Sequence, residues 1–208
     1  MSTKPRKRPR ASRGYTFIEV MMALGLLGVG AAGIIAMQKA AVLGNASARA
    51  ISTATAIASR WAERLRADAM LWNTTAPLSD INETRFLRDV VPFPTPANGP
   101  MVWTLPTEVP EQVSPEADPL GADIIFDNDT SPVAYCTHIS YRLLHTPPPS
   151  DVNPLPVPTM ISAVVRVTWR RDWNPMVCGA ADMFAATLDA RYGAVYLTTG
   201  VTPQERPE

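Results

Sequence analysis

Glu19 is the residue whose place in the sequence most needs a chemical reason. It heads an uncharged run, Val20–Met37, whose 18 residues make about 27 Å of helix, close to the thickness of a bilayer's hydrocarbon. A carboxylate at that depth costs roughly 2.5–3.5 kcal/mol on insertion scales, so a bystander role accounts for it poorly. Gly14 and Tyr15 stand just ahead of it. Before them, residues 1–14 carry Lys4, Arg6, Lys7, Arg8, Arg10 and Arg13 and no acid. The 208-residue chain balances 19 basic against 19 acidic residues, but without this leader 13 face 19, a formal charge of −6. A basic leader holds the N-terminus in the cytoplasm and directs the rest of the chain across the membrane.

Other residue types offer less. Cys136 and Cys178 both fall in the exported part, where a disulfide persists once formed. A bridge across their 42-residue separation would stabilise by about 4 kcal/mol on loop entropy. Two free thiols remain the alternative, since Cys136 sits on the more polar face of its expected strand and is not an obvious core residue. His138 and His145 are the two histidines, and their odd separation puts them on opposite faces of a continuous strand, against a shared metal. Asp123, Asp127, Asn128 and Asp129 lack the glycine and glutamate of a calcium loop and read as an acidic turn. Arg166, Arg170 and Arg171 read as a solvated strand face. A body of charge −6 makes nucleic acid a poor partner. No nucleophile elbow, phosphate-binding loop or zinc pattern occurs, so neither enzyme nor cofactor is expected.

Three origins compete for the N-terminal segment. A secretory signal peptide would use the small residues of Ala46-Ser47-Ala48 for cleavage, but its core would be too long and would open on an acid. A plain membrane anchor has no use for Glu19 either. The run Arg13-Gly14-Tyr15-Thr16-Phe17-Ile18-Glu19-Val20 resembles the processing site of type IV prepilins and pseudopilins. That resemblance implies cleavage between Gly14 and Tyr15 by a prepilin peptidase, which then methylates the new amine of Tyr15. The family usually has Phe at this position, and Tyr keeps the ring. Glu19 becomes the fifth mature residue. Its implied role is to pair with the N-terminal amine of a neighbouring subunit during assembly, since two buried ions are tolerable only together.

Helical and strand patterns set these residues in place. Residues 38–72 carry no proline, and Ile51, Ala54, Ala58, Trp61, Leu65 and Trp72 recur at helical spacing among charged residues. Arg64 and Asp68 are placed to pair at i,i+4. An unbroken helix from Tyr15 to Trp72 would run about 87 Å, ending at Asn73–Pro77. Gly25, Gly28, Gly30 and Gly33 permit close packing in the anchor, and they are also the positions where it would weaken. Residues 77–158 hold 16 of the 21 prolines and read as ordered loops. Between and after them, Val133–Leu143 and Ile161–Trp169 alternate as strands with apolar odd positions. Phe184–Ala190 and Ala194–Thr198 are weaker alternations, and Met101–Leu105 is a short candidate. The expected fold is α+β, with a long helix covering an antiparallel sheet. The expected organisation is a leader at 1–14, a membrane and assembly helix at 15–38, its continuation at 39–76, and an exported globular part at 77–208.

Within the pilin-like class, Gly30–Gln38 and Ala62–Ala67 resemble the PilV type of minor pilin. This implies a place in a priming complex at the filament tip, with other minor pilins, the major pilin and a tip adhesin as partners. It implies the inner membrane before assembly and the pilus surface afterwards. The alternative is a pseudopilin of a type II secretion system, for which a mature chain with such long proline-rich loops is large. An enzyme tethered by a signal anchor would need a polar catalytic cluster that the sequence does not offer.

Overall fold

The structure, a computed structural model, describes residues 14–72, 81, 83–90, 101–106, 112–125, 130–145 and 160–203. One long helix, α1 (Phe17–Ala69), precedes four strands: β1 (Glu116–Ala117), β2 (Tyr135–His145), β3 (Met160–Arg170) and β4 (Tyr192–Val201). The strands form one antiparallel sheet in the order β1-β2-β3-β4. The fold is therefore α+β, a long helix with an antiparallel sheet, as in pilins. Two compact units divide the chain, Met1–Ala46 and Ser47–Glu208.

In the first unit α1 is apolar on every side. Phe17, Met22, Leu26, Val29, Ile35 and Met37 are all exposed, so no single face is set aside for a protein core. Helices of that kind belong in a bilayer or a helix bundle. By length and composition this helix is able to cross a membrane. Gly25, Gly28, Gly30 and Gly33 do not interrupt it, and a Cβ added at any of them would meet nothing within 4 Å.

In the second unit the character of α1 changes. Ala50, Ala54, Ile57, Ala58, Trp61, Leu65 and Ala69 form one buried stripe at three- and four-residue spacing. Ile51, expected in that stripe, is exposed, and Ala50 and Ile57 take the inner positions. The helix ends at Ala69 rather than Trp72. Its last turn tightens into i→i−3 bonds, with Met70, Leu71 and Trp72 donating to Ala67, Asp68 and Ala69, and Trp72 is carried into the core.

Asp68 does not pair with Arg64. Its carboxylate turns inward and accepts the backbone N–H groups of Arg85, Phe86 and Leu87 at 2.7–3.0 Å. Those residues enter a 3₁₀ turn, Leu87–Val90, whose first N–H groups have no partner within the turn itself. Arg64 instead meets Asp123 at 2.6 Å, and Arg60 lies 3.8 Å from the same carboxylate. Trp61 packs edge-on against Phe86, ring centroids 5.3 Å apart.

Tyr135, Ile139 and Tyr141 of β2 and the odd positions of β3 face the helix. Tyr135, Ile139, Tyr141, Ile161, Ala163, Val165, Val167 and Trp169 join the helix stripe in one core. The opposite face is covered as well, because Cys136, His138, Ser140, Val164, Arg166 and Thr168 are buried. The chain from Arg171 to Arg191 and the Thr104 region supply part of that cover. Phe184–Ala190 is not a strand: Ala181–Phe184 forms a 3₁₀ turn followed by irregular chain. Met101–Leu105 contributes a single bridge, Thr104 to Ile139. Ala194–Thr198 is the middle of the longer β4. Most of the proline-rich loops expected across 77–158, with Asp127, Asn128 and Asp129, lie outside the described residues.

Candidate assembly site

Gly14, Tyr15 and Thr16 precede α1 as non-helical chain. The Thr16 carbonyl opens the helix by accepting the N–H groups of Glu19 at 3.1 Å and Val20 at 3.3 Å. Glu19 thus lies in the first helical turn, where the unpaired N–H groups favour a negative charge. Tyr15 is 82% exposed and Phe17 equally so, and Gly14 and Thr16 are exposed beside them. Among the described residues no cation partners Glu19, and the first one after it in the chain is Lys39. The Glu19 side chain stands one helical turn below position 15, among the apolar residues of its own helix.

Cys136 and Cys178 lie at a separate place in the second unit. They are joined by a disulfide, with Cα atoms 5.3 Å apart. Cys136 is fully buried, although its strand face reads as the more polar one. With Met176, Cys178 and Met183 it forms a second small core, flanked by Leu105, Val133, Ala180 and Tyr192. His138 Nε2 donates to the Cys178 carbonyl at 3.0 Å, and its ring meets Phe184 edge-on. Burial pulls the His138 pKa down from 6.5 to about 4, and neighbouring Arg166 pushes the same way. The imidazole is therefore a neutral donor at ordinary pH. His145 lies beyond a register irregularity at the end of β2, so simple alternation does not fix its face.

Arg166 is a correction to the solvated-face reading, for it is completely buried. Its guanidinium lies 4.0 Å from the centre of the Trp103 ring. It donates to the carbonyls of Met183 and, at 2.9 Å, Ala185. Desolvation lowers its pKa, and the aromatic face and carbonyls offset part of that cost. Arg170 and Arg171 do stay on the surface side: Arg170 pairs with Asp172, and Arg171 Nε donates to the Tyr192 carbonyl. Its hydrogen bond to Arg170 holds the Asp172 carboxyl down at about 2. Asp123 is bound to Arg64 and Arg60 rather than free for a metal. Among the described residues, no three His, Cys, Asp or Glu side chains group as a metal site.

Sequence reasoning missed Asp68 and the inward role of Arg166. The tight turn that Asp68 caps carries no marker near it, and periodicity in β3 announces one buried face, not two.

The N-terminal segment is also where comparison with known proteins gives a result. Residues 9–35 match the family model described as the prokaryotic N-terminal methylation motif. In this segment the chain is type IV pilin-like, a class that includes pilins and pseudopilins. The motif implies processing by a prepilin peptidase, membrane anchoring and assembly with pilins, and the class is structural rather than enzymatic. No curated protein and no solved structure matches the chain.

Proposed function

We propose that the chain is a minor pilin of the PilV type, priming pilus assembly at the filament tip, and not an enzyme. The observation that carries the pilin-like part of this reading is the prepilin-type N-terminus matched over residues 9–35, with Glu19 at the head of an uncharged helix. The PilV part rests on the resemblance of Gly30–Gln38 and Ala62–Ala67 to that type. On this reading residues 1–14 are removed between Gly14 and Tyr15, and the Tyr15 amine is methylated. Residues 15–38 hold the chain in the inner membrane with the N-terminus cytoplasmic. Residues 39–76 carry the helix on, and 77–208 are the exported body.

Glu19 then neutralises the methylated amine of a neighbouring subunit. Either ion alone in hydrocarbon is expensive, so pairing draws the helices together in one register. The disulfide and the covered second sheet face support an exported domain that must survive outside the cell.

The test is recovery in sheared surface pili and co-purification with other minor pilins, for the wild-type chain and for Glu19→Ala. The substitution leaves insertion intact, because it removes a charge from the membrane, and reduces recovery severalfold or more. Equal recovery of both forms contradicts the role of Glu19. Recovery with a secretin-linked secretion apparatus instead of pili identifies the chain as a pseudopilin.

A further inference from the structure

The two edges of the sheet are unlike. One is closed by the two-residue β1 and the single bridge at Thr104. The other is β4, ten residues long, with neither charge nor proline in Tyr192–Val201. Sheet edges of that length are normally blunted by lysine, proline, a bulge or a covering loop, because their free N–H and C=O groups are a template for another strand.

The register fixes which groups are free. Arg171 donates to the Arg191 carbonyl, and the β3–β4 pairing continues in the same register from Arg170↔Tyr192 to Ile161↔Val201. Antiparallel ladders alternate bonded and non-bonded pairs, so Gly193, Val195, Leu197, Thr199 and Val201 turn their backbone groups to β3. On the far side of the sheet, Ile139 exchanges backbone bonds with Thr104, which requires the same alternation. Ala194, Tyr196, Thr198 and Gly200 therefore point their N–H and C=O groups outward, and among the described residues none of these groups has a partner. Tyr196, Thr198 and Gly200 are exposed.

We propose that this outer edge of β4 receives an extended segment of another protein of the assembly, which adds to the sheet as a fifth strand. The inference rests on the pilin reading given under Proposed function. Main-chain bonds from four alternate residues supply the affinity, as in other strand additions. The flanks state the chemistry of the guest. Val195 and Leu197 pack half-buried against the main core on the helix side, and Tyr196 stands on the other side near Trp103. An uncharged segment of alternating apolar and β-branched residues fits between them.

A second copy of this chain does not fit. Edge-to-edge pairing of β4 with itself in one continuous sheet requires a twofold axis along the sheet normal. The stripe of α1 from Ala50 to Ala69 lies on the sheet face, so that axis reverses the helix. Subunits of one filament, on the pilin reading, all run in one direction, so two copies whose Ala50–Ala69 stripes are reversed cannot be paired this way.

Amide hydrogen exchange, resolved residue by residue over 192–201, tests this on the full chain, isolated in detergent and again within purified pili. In the isolated chain Ala194, Tyr196, Thr198 and Gly200 should exchange freely while Val195, Leu197 and Thr199 are protected. In pili the four outward amides should slow by about tenfold or more. Outward amides already protected in the isolated chain, or still open in pili, overturn the proposal and leave the pilin reading standing. A photo-crosslinker at Thr198 should capture a different polypeptide, and capture of a second copy of this chain overturns the choice of guest. Absence of the chain from pili defeats the pilin reading itself, and this proposal with it.

Discussion

The Asp68 carboxylate accepts the Phe86 N–H at 2.8 Å while also holding the N–H groups of its two neighbours, Arg85 and Leu87. One side chain near the end of α1 thereby fixes the chain segment that brings Phe86 against Trp61. Asp68→Ala leaves these donors without partners and should cost about 2–3 kcal/mol, seen as a lower denaturation midpoint of the exported domain. Asp68→Asn should recover part of the loss, because one amide oxygen still accepts.

Gly193 lies against the indole of Trp169, and a Cβ there would collide with the ring. Both residues sit in paired strands, so neither backbone yields easily. Gly193→Ala should cost about 1–3 kcal/mol through forced displacement. The same substitution made in a Trp169→Leu background should cost less, and an equal cost in both backgrounds would contradict the contact.

His138 makes stability depend on pH. The unfolded ring takes up a proton below about 6.5, whereas the folded ring stays neutral down to about 4. Between those values the unfolded state binds more protons, so stability falls as pH drops through that window. The full loss is of order 3 kcal/mol by pH 4. Arg166 across the strand pair and the Cys178 carbonyl both face the ring, and neither changes charge there. Urea unfolding of the wild type and His138→Gln at pH 7.5 and pH 4.5 measures the difference, and the variant should show the smaller pH dependence.

The disulfide closes the 42-residue separation between Cys136 and Cys178. Replacing both cysteines with alanine should cost about 4 kcal/mol on loop entropy. Non-reducing mass analysis should find the two residues linked within one chain, and full alkylation without reductant would contradict the bridge.

Much of this architecture can be read from residue order, for reasons that differ by element. Odd positions of β3, Ile161 to Trp169, alternate so regularly that the residue types alone reveal their inner face. The uncharged stretch behind Glu19 is similarly plain, since hydrocarbon tolerates so few residue types. Arg166 is legible only as an exposed cation, because its cover comes from Trp103 and the chain around Met183, both distant in sequence. Asp68 and Arg64 are spaced as a helix pair, yet long-range partners take both. An i,i+4 attraction on a helix surface is a few tenths of a kcal/mol, less than what three backbone donors or a partly buried carboxylate offer. Charged side chains follow such tertiary partners, which spacing alone does not reveal.

The proposed function requires a prepilin processing site between Gly14 and Tyr15. Mass spectrometry of the mature N-terminus, from chain extracted out of membranes, tests it most directly. The chain should begin at Tyr15 with a single methyl group on its amine, and a bulky substitution of Gly14 should leave the leader attached. A mature chain that begins at Arg49, after the small residues Ala46-Ser47-Ala48, would contradict such a site and mark the segment as an ordinary signal peptide.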